Sequence, residues 1–338
     1  MIRNLGCIVG ILAVNMLVLS DAYSQTCPLS APESSSLPRF LDGHGVLISQ
    51  SPAAVLFMSG VERDEDGAPK AYHVGMADGG RDPGMDAICD GGDVLEFHEN
   101  DRQLYNRYAK GGSEGKLSGV SSDGKTSETA LCKHDYITIR DAGFPPCGPD
   151  HLCMRWYGVA VSPLRSCGYN YSKDMGCGVP VKQVDANGKE TGFYLTTNTL
   201  MRPGAPYNSN VQSDYADATQ VPFIVMPGGL KLPMKATWAA GDLAVVAWHG
   251  HVAYAVVGDS GPSNKIGEAS RALLAELSAW SISANDPATT LVFPGTAHRI
   301  RGQWPLTKDL IRSEAAKFIE DSQWRGALPR CAGLERLH

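Results

Sequence analysis

The chain lacks most of the signatures that would name a reaction outright. It has no H-E-x-x-H helix, so zincin chemistry loses its usual carrier, and its strings of the G-x-S-x-G and G-x-x-x-x-G-K-T form, at residues 111–115 and 119–126, fall in a Gly-, Ser- and Lys-rich stretch without apolar period that reads as a loop. Beyond the N-terminus no segment reaches the roughly eighteen uninterrupted apolar residues of a membrane-spanning helix. Basic residues are not in excess: 30 Lys and Arg against 36 Asp and Glu leave a net charge of -6, which offers nucleic acid no cationic footprint. There is no C-x-x-C pair to suggest a zinc site, and no internal repeat. The mild acidity suits a cationic partner, though many exported proteins are equally acidic.

What is present begins with a leader. Arg3 precedes an apolar run from Leu5 to Leu19, and Ala22-Tyr23-Ser24 supplies small residues for cleavage. Residues 1–24 therefore read as a secretory signal peptide, and the mature chain is expected to be soluble and secreted, extracellular or periplasmic. Cys27 lacks the small apolar lead-in of a lipid anchor. Removing Cys7 with the leader leaves Cys27, Cys89, Cys132, Cys147, Cys153, Cys167, Cys177 and Cys331. An even count in an exported chain predicts disulfides, among about a hundred possible connectivities.

Residues 25–52, Ser- and Pro-rich near their start, read as a linker. Residues 53–300 form the main domain, with a cysteine-rich insert over 111–180 that shows little periodicity and many breakers. Residues 301–338 are a helical extension. Strands are expected around Tyr72, over Phe193–Asn198 and Val221–Met226, and over Thr289–Phe293. A hairpin joins Asp242–Trp248 to Val252–Val257 across His249-Gly250-His251. Ala53–Val61 is a further candidate strand. One helix carries Leu273, Leu277 and Trp280 along a face, and a second runs from about Thr307 to Phe318. Short, numerous strands predict a mainly β fold with a small closed barrel.

Five motifs then occur in one order: Met85-Asp86-Ala-Ile-Cys89-Asp90-Gly91, Gly192–Leu200, Asp217–Pro227 with its Val-Pro-Phe-Ile-Val, Gly241-Asp-Leu-Ala-Val-Val, and Gly258-Asp259-Ser-Gly-Pro262 leading to Gly267-Glu268-Ala-Ser270. Together they resemble the fungal-type chitosanases, glycoside hydrolase family 75. The resemblance covers roughly residues 72–101 and 192–293, and omits the insert and both ends. It implies a six-stranded double-psi β-barrel with a few helices. It also implies an endo-acting, inverting hydrolase of β-1,4 glucosamine linkages in chitosan, working without cofactor or metal.

The family's essential acids map onto Asp259 and Glu268. Their roles stay open. A helix start at Glu268 would lower its pKa and suit a base, whereas burial would raise it and suit an acid. The related barrels place the acid after the turn, which favours Glu268 as acid and Asp259 as base. Taken alone, the pair reads as a turn residue and a helix-start residue. Asp86 and Asp90 are candidates for binding substrate ammonium groups, or for making tight turns or holding a calcium ion, although the twelve-residue calcium-loop pattern ending in Glu is missing. Tyr194 is a candidate for stacking on a sugar, although aromatics at strand spacing usually enter the core. Asp242 is expected to fix a turn, and His249 and His251 to lie on a solvated tip. The expected partner is a chitosan-like polysaccharide, with no nucleic acid and no membrane, and the chain is expected to be a monomer. The rivals are an enzyme of another wall polysaccharide such as peptidoglycan, and a non-catalytic wall-binding barrel.

Overall fold

The structure is a computed structural model that describes residues 27–33, 36–75, 83–108, 128–322, 324 and 331. The leader and residues 109–127, expected to be a loop, lie outside the described residues. Of residues 128–131 and 174 only the backbone is described.

The fold is mainly β and centres on a nearly closed six-stranded barrel, as expected. Its first strands are β1 (Leu47–Gln50), β2 (Ala53–Ser59) and β3 (Glu62–Asp64). The second half of the chain adds most of the wall, after an excursion into β4 (Gly92–His98), β5 (Gln103–Asn106), α1 (Glu128–Asp141), β6 (Cys153–Trp156), β7 (Arg165–Gly168), β8 (Tyr171–Cys177), β9 (Lys182–Val184) and β10 (Glu190–Tyr194). It supplies β11 (Phe223–Pro227), β12 (Leu243–Trp248), β13 (His251–Gly261), β14 (Glu268–Ser270), α2 (Arg271–Glu276), β15 (Ala288–Phe293) and α3 (Lys308–Glu320). The sheet order is β1-β2-β15-β12-β13-β11-β14-β3.

Period-two alternation explains why these strands are almost wholly apolar. Leu56 of β2, Val245 of β12 and Leu291 of β15 enter one core. Their neighbours Val55, Val246 and Val292 enter a second core on the other side. With both faces covered, polar residues are few on these strands, and Ser59, Thr289 and Thr290 are buried with the rest. The β12–β13 connection is the expected hairpin. His249 and Gly250 both have positive φ, the conformation that matches a two-residue turn to strand twist.

Several expectations change. Tyr72 lies in a bend next to an antiparallel bridge from His73 to Phe193, and the strand ending at Tyr194 pairs with that segment and with β9, so neither belongs to the barrel wall. Their places are taken by the short β3 and β14, which are too brief to show a period. The linker carries β1, which pairs with β2. Trp280 is not on the buried helix face: α2 ends at Glu276, Leu273 and Leu277 are buried, and Trp280 is 66% exposed against Arg63.

The insert is also more ordered than its breakers suggested. β5-β4-β6-β8-β7 form a second sheet that begins at Gly92, well before residue 111. The helix α1 buries Cys132, Tyr136 and Ile139, a short stripe hidden among polar residues. The C-terminal extension packs on the barrel, with Phe318 and Trp324 both against Phe293.

All eight cysteines after the leader are paired, as Cys27–Cys331, Cys89–Cys132, Cys147–Cys153 and Cys167–Cys177. The first ties the two ends of the described chain together. The second joins the segment before β4 to α1 across 43 residues, a loop whose closure removes about 4 kcal/mol of unfolded-chain entropy. Replacing Cys89 and Cys132 together with Ala is expected to lower unfolding stability by about 2–4 kcal/mol, read from urea titrations of the oxidised proteins.

Candidate active site

A cleft of about 930 Å³ lies against the barrel wall, lined by eight carboxylates and only three cationic side chains. Its axis of organisation is Val225 on β11. This residue pairs with Asp259 of β13 in a parallel ladder and with Glu268 of β14 in an antiparallel one. Residues in register point to the same face of a sheet, so both acids stand over that face with Val225 between them. Two strand spacings put their Cα atoms about 10 Å apart. Glu62 of β3 stands one strand further on, in register with Glu268.

The β14 approach requires glycine at one position. Gly267 has a φ of +95°, and a Cβ there would fall 2.1 Å from the Gly60 carbonyl oxygen. Its own carbonyl accepts the Glu62 N–H at 2.8 Å, which starts the β3–β14 ladder. Glu268 is thus a strand residue. Helix α2 begins three residues later, capped by Ser270, so no helix terminus acts directly on Glu268 as expected from sequence.

The two acids have different surroundings. Asp259 accepts three hydrogen bonds, all on Oδ1: from Thr199 N–H at 2.9 Å, Thr199 Oγ1 at 2.6 Å and Ser260 N–H at 2.7 Å. None of these falls on Oδ2, which is left as the place for a proton. Burial pushes its pKa up to about 6, against the lowering effect of those donors. Glu268 instead accepts a 2.7 Å hydrogen bond from Lys265 Nζ, which also holds Glu62 at 2.6 Å. Burial works against the charge on Lys265, but these two carboxylates more than offset it and raise its pKa.

The end of β3 and the turn after it supply two acids that pattern reading missed. Asp64 and Asp66 both line the cleft. Burial, then the charge of Asp259, holds Asp64 well above the usual carboxylate range; burial and Asp64 do the same to Asp66. Asp66 accepts a 2.5 Å hydrogen bond from Tyr72 Oη. A Cβ at Gly158 would lie 2.3 Å from its Oδ1, so only glycine allows that backbone to pass.

Asp86 and Asp90 line the cleft where the motif placed them. Burial, then Asp90, raises Asp86 to about 6 against Arg63, which binds it at 3.3 Å. Behind it Glu65 is fully buried 3.0 Å from Arg63, and burial lifts its pKa to about 7. The cysteine-rich insert contributes Asp93, Arg155 and Tyr157 to the opposite wall, with Arg155 on Asp93 at 2.5 Å. Every cation in the cleft therefore already has an acid, while Asp64, Asp66 and Asp259 have no ion-pair partner among the described residues.

No family model matches this chain, and no curated protein does.

Tyr194 is not in the cleft. It is 1% exposed, packs against Trp156 and pairs its hydroxyl with Tyr136 Oη at 3.0 Å, because its strand faces the insert core. Asp242 fixes a turn, accepting Ala239 N–H at 2.7 Å and Ala297 N–H at 2.9 Å. His249 stacks on Trp248 at the hairpin tip and meets Asp286 at 2.7 Å, away from the acids. Thr199, Asp64, Asp66 and Lys265 were all unmarked in sequence. The only visible signal was the charge run Glu62-Arg-Asp-Glu-Asp66 directly after an apolar strand, an unusual place for five charges to face solvent.

The electrostatics carry a stability cost of definite sign. Asp259 binds its proton more tightly when folded than when unfolded. It therefore adds nothing below the ordinary carboxylate range and destabilises the fold as pH rises through about 6. Asp259→Asn is expected to raise stability by about 1–3 kcal/mol at pH 7 and to change it little near pH 4, compared by urea unfolding at the two pH values.

Proposed function

We propose that this protein is an exported glycoside hydrolase that cuts a cationic β-1,4-linked glucosamine polymer, chitosan-like, internally and with inversion. The observation that carries the reading is the cleft: eight carboxylates against three already paired cations, arranged around Asp259 and Glu268. Such a surface attracts a chain of ammonium groups and repels an anionic one. Four disulfides fit an oxidising compartment, and no helix among the described residues is long and apolar enough to cross a membrane.

Inverting hydrolysis needs a protonated carboxyl on one side of the scissile bond and a carboxylate on the other, about 6.5–9.5 Å apart with water between. Two carboxyls flanking one strand fit that span. Asp259, with one oxygen saturated and its pKa raised, suits the proton donor. Glu268, held beside the Lys265 ammonium, suits the base that takes a proton from the attacking water. This reverses the assignment favoured by the resemblance, and the reason is Lys265. Asp86 and Asp90 serve as ammonium contacts along the cleft.

Reducing-end release from soluble chitosan tests the reading. Wild type is expected to cleave, and Asp259→Asn and Glu268→Gln each to lose at least about 100-fold, the scale of a positioned acid or base. Equal rates in all three proteins would remove the acid pair from the chemistry. Release from purified peptidoglycan, with none from chitosan, would move the substrate to the rival wall polymer.

A further inference from the structure

We propose that Asp64 and Asp259 form a proton-sharing pair, so that Asp64 is a positioning residue that keeps a proton available to Asp259. The inference rests on Asp259 as the proton donor and adds a partner to it.

Four successive links connect the two. Thr199 holds Asp259 through its N–H and hydroxyl. The preceding residue, Asn198, donates from Nδ2 to the Asp66 carbonyl at 3.0 Å. The Asp66 N–H donates to Asp64 Oδ1 at 2.7 Å. Asp66 itself is 9% exposed and fixed by Tyr72. This frame holds both carboxyls against one cleft, and Asp64 Oδ1 is occupied as Asp259 Oδ1 is, so a proton on either sits on the remaining oxygen. On β3 Asp64 is in register with Ser270, two residues beyond the Glu62–Glu268 pair.

The groups facing Asp64 are all acidic: Asp66 on its own segment, Asp86 before β4, Glu268 on β14 and Asp259 on β13. The nearby cations are committed elsewhere, Arg63 to Glu65 and Asp86, and Lys265 to Glu62 and Glu268. With no cation to stabilise two negative charges, the pair gives up its protons in two linked steps. After the first step one proton remains, exchanging between the carboxyls, and Asp259 stays able to donate at a pH where an isolated Asp259 would be ionised.

The bookkeeping closes. Water forms its bond to the anomeric carbon as the bond to the leaving oxygen breaks. The leaving oxygen takes the proton from Asp259, Asp64 passes its own to Asp259 and regains one from solvent, and the water's proton passes to Glu268 and then to solvent.

Carboxyl 13C NMR titration of the full chain tests this directly. The Asp259 resonance is assigned by its loss in Asp259→Asn, and the Asp64 resonance by its loss in Asp64→Asn. Two linked steps are expected in wild type. In each single variant the surviving carboxyl should titrate in one step, its proton held about tenfold less tightly than in the wild-type upper step, or one pH unit lower. The kinetic counterpart is kcat/KM on soluble chitosan. The Asp64→Asn deficit should grow at least about tenfold from pH 5 to pH 8, whereas a merely structural role gives a deficit independent of pH. Asp64→Ser, which keeps an acceptor for the Asp66 N–H, provides the same readout if Asp64→Asn folds poorly. An unchanged Asp64 midpoint in Asp259→Asn would overturn the pairing even if chitosan is cleaved. Absence of cleavage by wild type would overturn the proposed function while the titration still decides the pairing.

Discussion

Three residues of parallel ladder hold the arrangement together. Glu62–Asp64 of β3 lie beside Glu268–Ser270 of β14, joining segments about two hundred residues apart in the chain. A ladder that short cannot stabilise itself. It is held because both strands continue a sheet whose other members are buried on two faces, and because Gly267 lets the backbones approach. Remove that contact and Glu62 and Asp64 leave the side of Glu268 and Lys265, while Asp259 stays on its own strand. The cleft depends on the closure of the barrel at this point.

Closure brings like charges together, and the surroundings are arranged to tolerate them. Asp259 is given three donors on one oxygen, Glu268 a lysine, Asp86 an arginine and Asp66 a tyrosine hydroxyl. Burial still outweighs these contacts at Asp259 and Asp86, and the fold carries the difference as lost stability at neutral pH. A cationic polymer entering such a cleft would relieve the same repulsion. Binding strength and the instability of the empty site then share one origin.

The sequence showed the long features and hid the short ones. Continuous apolar runs made β11, β12, β13 and β15 legible, and the ordered motifs of the resemblance singled out Asp259 and Glu268. Asp86 and Asp90 were legible because glycine and cysteine frame them. By contrast β3 and β14 have three residues each, too few for a period to register. Asp64 and Asp66 sat inside a charge run, where the ordinary reading is a solvated face. Tyr194 failed in the opposite direction: its strand was real, but its face was decided by Trp156 and Tyr136, residues of an insert whose own sheet left no readable pattern.

That insert changes what the barrel can do. A barrel wall alone would present Asp259 and Glu268 on an open face, where water screens every charge. The sheet from β4 to β8 adds a facing wall with Asp93, Arg155 and Tyr157, and Gly158 brings its backbone against Asp66. Enclosure lowers the local dielectric and is what raises the pKa values of the floor acids, so the same wall that would shape a substrate's path also sets the protonation of the groups that act on it. The Cys89–Cys132 bridge ties α1, which packs on this sheet, to the segment bearing Asp86 and Asp90. Disulfides here hold the electrostatics of the cleft as much as they hold the fold.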